Sequence, residues 1–148
     1  MINRRDFNKI LLGTTALSFA ACTGMPDLSL PANRKRVVIV GGGFGGATAA
    51  KYLKKFSPET EVFLIEQNKE YHTCPFSNTV IAGMNKLDYI KHDYKTLQSK
   101  YKVIVMHEKV KKVDGATNNV ILEDGTAIPY TKAIVAPGID FKYEKGYV

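Results

Sequence analysis

Five residues in the middle of the chain have the types and spacing to do chemistry. Gly41, Gly43 and Gly46 stand in the pattern G-x-G-x-x-G within "GGGFGG". Glu66 follows 20 residues after Gly46, and Cys74 lies in "YHTCPFSN", residues 71–78. Glycines at this spacing allow a tight turn, a close approach of backbone to a pyrophosphate, and close helix–strand packing. An acid some 20 residues on can accept hydrogen bonds from the ribose hydroxyls of an adenosine, and its charge repels a 2′-phosphate. A lone thiol is a nucleophile, a redox group or a small packing residue, according to its surroundings.

The elements needed to position these residues are legible. "RVVIV" (36–40) is apolar after its first residue and β-branched, which fits a buried parallel strand running directly into the glycines. In "ATAAKYLKKF", Ala47, Ala50, Leu53 and Phe56 recur at helical spacing, and Ser57-Pro58 ends the run. The helix would turn its free N–H groups and positive dipole end towards phosphate. "EVFLIE" (61–66) is a second strand that ends in Glu66. Strand, glycines, helix, strand and acid in register make a dinucleotide-binding βαβ unit. The motif alone does not separate FAD from NAD.

Residues 67–84 lack strong periodicity and read as a long active loop with some short helix. Leu87, Ile90, Tyr94, Leu97 and Tyr101 then recur every three or four residues, which predicts an amphipathic helix with core-facing tyrosines and Asn85 as its N-cap. "KVIVM" (102–106) predicts a third parallel strand. "EKVKKV", "NVIL" and "TAIPY", separated by Asp114-Gly115 and Asp124-Gly125, predict a small antiparallel meander. "AIVAPG" (133–138) predicts one more buried strand. The fold class expected is α/β: a Rossmann-like FAD/NAD(P)-binding domain with a parallel sheet and a small β-meander. Residues 36–148 would form its N-terminal part.

Residues 1–22 read as an address. Arg4 and Arg5 precede a mostly apolar stretch from Ile10 to Ala21, and "NRRDFNK" matches a twin-arginine export signal. "FAAC" places Cys22 where a lipoprotein would be cleaved and lipidated; cleavage near Ala20 or Ala21 without lipid is the rival reading. Residues 23–35 form an aperiodic linker. Export by this route predicts a periplasmic protein.

The chain has 148 residues, 45% hydrophobic and 24% charged, an ordinary balance for one domain at most. No apolar run reaches the roughly 18–20 residues of a membrane-spanning helix. The net charge is +7, and its lysines are scattered through the sequence, which speaks against a nucleic-acid partner.

Cys22 and Cys74 are the two cysteines. In an exported chain Cys74 is left over. It could be an inert buried residue, half of a disulfide with a cysteine beyond Val148, or a redox thiol. His72, two positions earlier, reads more simply as solvated than as its base. His92 and His107 are isolated, and no C-x-x-C-H haem motif occurs.

The stretch from about Arg34 onward, and "YHTCPFSNTVIAG" above all, resembles the flavoprotein subunit of flavocytochrome c sulfide dehydrogenase. The downstream runs "KLDYIKHDY" and "IVAPGID" carry the likeness further. The resemblance implies FAD held by Gly41, Gly43, Gly46 and Glu66, with the Val110 backbone at adenine. It implies a thioether between Cys74 and the 8α-methyl carbon of FAD. It implies sulfide as substrate and a c-type cytochrome subunit as electron acceptor. Two rivals are a sulfide:quinone oxidoreductase or another pyridine nucleotide-disulfide-type flavoprotein, and a truncated, inactive FAD-binding product. Members of the resembled family carry a redox cysteine pair that these residues lack. The chain is therefore expected to be inactive alone, and, because a FAD domain of this kind takes its final strand from much later in the sequence, to be the front part of a longer protein.

Overall fold

The computed structural model describes residues 28–139. The twin-arginine segment, Cys22, residues 23–27 of the linker and the last nine residues lie outside the described residues.

Four parallel strands form the central sheet, in the order β5-β2-β1-β9. They are β1 (Arg36–Val40), β2 (Glu61–Ile65), β5 (Ile104–Met106) and β9 (Lys132–Val135). Val38 of β1 pairs with Phe63 on one side and with Ala133 on the other. Successive side chains of a strand point to opposite faces, so β1 and β2 feed two cores. Val37, Ile39, Val62 and Leu64 meet Ala47 and Ala50 of α1 (Phe44–Phe56) and Tyr94, Leu97 and Val103. Val38, Phe63 and Ile65 meet Val120, Leu122 and Ile128 on the opposite face. That second face is covered by the antiparallel meander β6 (Val110–Asp114), β7 (Asn119–Leu122) and β8 (Ala127–Pro129). Small residues on α1 bring the helix close to the sheet. After their charged first residues β1 and β2 are fully apolar, which burial on both faces explains.

Arg36 is the exception in that run. It is fully buried at the start of β1, and its guanidinium lies over the Phe63 ring, 4.6 Å from the centroid. Its Nε donates to Glu61 Oε2 at 2.6 Å, and its terminal nitrogens donate to the carbonyls of Leu28 and Ser29 at 2.8 and 2.9 Å. A buried guanidinium needs this number of acceptors. The arginine thereby ties the incoming chain to the base of the sheet.

Three expectations need correction. The helix expected over residues 87–101 divides into a 3-10 turn (Leu87–Tyr89), a strand β4 (Lys91–Asp93) and a short helix α3 (Lys95–Tyr101). The strand pairs antiparallel with β3 (Glu70–His72), Tyr71 opposite His92. Ile90, Tyr94 and Leu97 do reach the core, but Leu87 and Tyr89 are exposed. Asn85 is no N-cap; its Nδ2 donates to Thr79 Oγ1 at 2.9 Å. Among the described residues, the expected buried strand at 133–138 runs over Lys132–Val135 at one end of the strand order, with Ala133 and Ile134 half-buried and Val135 exposed. Smaller differences follow helix geometry. Lys102 takes a left-handed C-cap, so β5 begins at Ile104, and Phe56, 78% exposed, stacks on Tyr52 outside the core. The loop after β3 contains one short helix, α2 (Ser77–Ile81).

Candidate functional site

All four strands of the parallel sheet point the same way, so their carboxyl ends share one edge. Open α/β sheets bind ligands there. The loop after β1 is shaped by contact with its neighbours. Gly41 has φ +96, and a Cβ on it would collide with the carbonyl of Ala136 after β9. Its N–H donates to Ile65 O at 2.9 Å. A Cβ on Gly46, in the first turn of α1, would collide with the Gly41 carbonyl. Nothing lies within 4 Å of a Cβ placed on Gly43, which caps the helix. The three glycines thus divide into two that packing requires and one that faces open space.

Glu66 is held in place before any ligand arrives. Its Oε2 accepts the Gly42 N–H at 2.8 Å. Its Oε1 accepts from Asn68 N and Nδ2 at 2.9 and 3.0 Å. Two donors already occupy Oε1, so Oε2 is the oxygen that keeps a further lone pair for a hydroxyl. A cavity of about 160 Å³ is lined by Gly41, Glu66, Lys109, Val110 and Pro137, among others. The structure therefore brings Gly41, Glu66 and Val110 to one pocket. Gly43 and Gly46 lie in the adjoining turn of α1 and do not line it.

Cys74 is exposed and free, in the bend between β3 and α2. Its carbonyl accepts from Ser77 N at 3.1 Å, and Thr73 before it is buried, with its N–H on Ile90 O at 2.9 Å. Phe76 takes a left-handed φ of +68 at the start of α2. The bend is thus fixed on both sides of a solvent-facing thiol. Cys74 does not line the cavity that holds Glu66. His72 is exposed as expected.

Two site residues escaped the sequence reading. Gly42 is pinned at both ends of its backbone: its N–H goes to Glu66, and its carbonyl accepts from the Tyr94 hydroxyl at 3.0 Å. Tyr94, 2% exposed, stacks on Tyr71 and lies beside His107, ring centroids 5.7 Å away in both cases. Burial first, then the Glu66 charge and Tyr71, holds its phenol well above the ordinary range, so it remains a donor. The unbroken run of glycines was a signal for Gly42; nothing local marked Tyr94. His107, read as isolated, has its Nδ1 3.2 Å from Glu66 O. A larger open cleft of about 550 Å³, between α1, the β3–β4 hairpin and α3, contains neither Glu66 nor Cys74.

This loop fits a dinucleotide such as FAD on its own geometry. It offers a cradle that Cβ atoms would fill, an open helix N-terminus for phosphate, and a preset carboxylate for ribose. No helix among the described residues is long and apolar enough to cross a membrane.

Comparison with known proteins agrees. The chain is 61% identical over 46 residues to the flavoprotein chain of sulfide dehydrogenase (flavocytochrome c) from Chlorobaculum thiosulfatiphilum, covering 31% of this chain and 96% of that sequence. It is 28% identical over 104 residues to sulfide-quinone reductase of Aquifex aeolicus, covering 70% of this chain and 24% of the relative. The crystal structure of the sulfide:quinone oxidoreductase from Aquifex aeolicus superposes with a TM-score of 0.67 at 27% identity, over 74% of this chain and 25% of that one. The chain thus spans about a quarter of the length of the sulfide-quinone relative. Residues 35–143 match the pyridine nucleotide-disulphide oxidoreductase family. With that match and the dinucleotide loop together, the chain belongs to the pyridine nucleotide-disulphide oxidoreductases, a family of FAD-dependent enzymes.

Proposed function

We propose that the chain is the FAD-binding N-terminal part of an exported sulfide dehydrogenase that passes electrons to a c-type cytochrome. The observation that carries this reading is the 61% identity to the flavoprotein chain of a flavocytochrome c. The placement of Gly41, Glu66 and Val110 around one pocket supports it.

In this reading the Gly41–Gly46 loop and the α1 N-terminus hold the pyrophosphate. Glu66 accepts the ribose hydroxyls, and the Val110 backbone meets adenine. FAD, when bound, supplies the acceptor for the two electrons of sulfide and releases them singly. Cys74 would tether it by a thioether to the 8α-methyl carbon, the thiol hydrogen and one methyl hydrogen passing with two electrons to the oxidised flavin ring, and a free thiol on a fixed, solvent-facing bend fits that role. A covalent tether keeps the ring near its site at high effective concentration and prevents its loss after export. The twin-arginine segment directs the folded protein to the periplasm, and Cys22 is the residue that a lipid anchor would use. Oxidation of sulfide belongs to the whole protein with its cytochrome, and residues 1–148 alone are inactive.

A second reading is favoured by the match to sulfide:quinone oxidoreductase in both sequence and fold: the same flavin would then deliver electrons to quinone. The two separate in one assay. The full-length gene product is reduced anaerobically with sulfide and offered a c-type cytochrome or a soluble quinone analogue. Reduction of the cytochrome is expected; reduction of quinone alone would move the protein to the second reading.

A further inference from the structure

We propose that Tyr94, which lies behind the glycine loop, is a positioning residue for the pyrophosphate: its hydroxyl fixes the Gly42–Gly43 peptide so that the Gly43 N–H is presented to a phosphate. The inference rests on the dinucleotide reading of the loop and adds to it a residue from a different element, 52 positions away.

The geometry supports each link. Tyr94 OH donates to Gly42 O at 3.0 Å inside the core. The described chain has no cis peptide bond, so the Gly42–Gly43 unit is planar and trans. Its C=O and its N–H therefore point in opposite directions. Drawing the carbonyl inward to Tyr94 turns the Gly43 N–H away from the phenol, and Gly43 itself borders open space, since a Cβ built on it meets nothing within 4 Å. The preceding peptide is fixed as well, because the Gly42 N–H is taken by Glu66 at 2.8 Å. One residue without a side chain is thus clamped between the ribose carboxylate and a buried phenol.

Sterics make the same point. A Cβ on Gly42 would come within 2.7 Å of Tyr94 Oη and 2.8 Å of Glu66 Cβ. The position is reserved for glycine by Tyr94 and Glu66 together. The phenol itself has little freedom, with Tyr71 stacked on one neighbouring ring position and His107 at another, both 5.7 Å away. Replacing Tyr94 by Phe would leave the ring in place and the Gly42 carbonyl without its buried donor. The peptide could then rotate, which costs a phosphate donor its aim.

The test compares two ligands that share adenine and ribose and differ in the pyrophosphate. The full-length protein carrying Cys74→Ser, stripped of flavin, is titrated with ADP and with adenosine by calorimetry. Tyr94→Phe is expected to weaken ADP about tenfold, the worth of one charge-assisted hydrogen bond, and to leave adenosine affinity unchanged. Leu97→Ala, which loosens α3 without touching the loop, is expected to lower the melting temperature and leave the ADP-to-adenosine ratio as it was. The inference is overturned if Tyr94→Phe leaves the ratio unchanged, if Leu97→Ala shifts it equally, or if Tyr94→Phe abolishes folding, since the hydroxyl would then serve the core. If the parent protein binds neither ligand, the dinucleotide reading fails with it.

Discussion

Gly46, in the first turn of α1, sits directly against the carbonyl of Gly41, so that the helix and the end of β1 share a space in which no side chain fits. The contact fixes the angle at which α1 leaves the sheet. It also decides where the helix N-terminus points, and so where a phosphate can be held. Gly46→Ala must push backbone from backbone, and overpacking of this kind costs about 1–3 kcal/mol. The expected result is a lower melting temperature together with loss of bound FAD. A Gly46→Ala protein with normal flavin content would show that the close approach is unnecessary.

Glu66 predicts a specificity. Its carboxylate is held by Gly42 N–H and by Asn68, and it faces the cavity that Val110 also lines. Glu66→Gln keeps the acceptor for Gly42 and removes the charge. Affinity for ADP should fall by about tenfold, as hydrogen bonds to a charged acceptor become bonds to a neutral one. Discrimination against the 2′-phosphorylated analogue should narrow at the same time. Equal discrimination in both proteins would place the ribose elsewhere.

Arg36 predicts a stability effect far from the site. Truncating one side of a buried ion pair costs about 3–5 kcal/mol, because the partner is left uncompensated. Glu61 is 20% exposed, so Arg36→Met should fall near the lower end of that range in urea unfolding. Arg36→Met combined with Glu61→Leu should recover part of the loss. Absence of recovery would mean that the carbonyls of Leu28 and Ser29, not Glu61, are the important acceptors.

Acid should loosen the meander first. Asp114 is held below the usual carboxylate range by its hydrogen bond to Lys112 and by the N–H groups of Thr117 and Ala116. Asp124 is held low by the N–H and hydroxyl of Thr126. A carboxyl group whose folded pKa is depressed contributes stability above its unfolded pKa, near 4, and loses it as pH falls through the folded value. Melting temperature should therefore decline below about pH 4. Asp114→Asn with Asp124→Asn should flatten that decline, and an unchanged acid limb would contradict the assignment.

The sequence made the βαβ unit legible because its constraints are local. The glycine spacing, the apolar runs of β1 and β2 and the acid at their end all act within about 30 residues, the span of one such unit. The stretch from Leu87 to Tyr101 was misread for the opposite reason. Its spacing of three and four is satisfied equally by a turn, a strand and a short helix that send Ile90, Tyr94 and Leu97 inward. The pairing of Lys91–Asp93 with Glu70–His72 depends on residues some 20 positions away, which local periodicity does not report. Tyr94 was read as core-facing, and it is. Its bond to Gly42 spans 52 positions and has no sequence signature. The place of β9 at one end of the described strand order was hidden because a short apolar run looks the same at the end and the centre of a sheet.

The proposed export route depends on Arg4 and Arg5. Replacing both by lysine should leave the precursor in the cytoplasm, seen as loss of the periplasmic band on fractionation. Continued export of the double-lysine protein would show that the segment uses the general secretory route.

The proposed thioether at Cys74 tests the account most directly. The full-length protein, produced in a host with twin-arginine export, is fully denatured, and its intact mass and in-gel flavin fluorescence are measured beside those of Cys74→Ser. FAD is expected to remain with the parent chain and to leave the serine variant. Flavin lost from both proteins would contradict the account, leaving Cys74 as a thiol or half of a disulfide and turning attention to the quinone-linked reading.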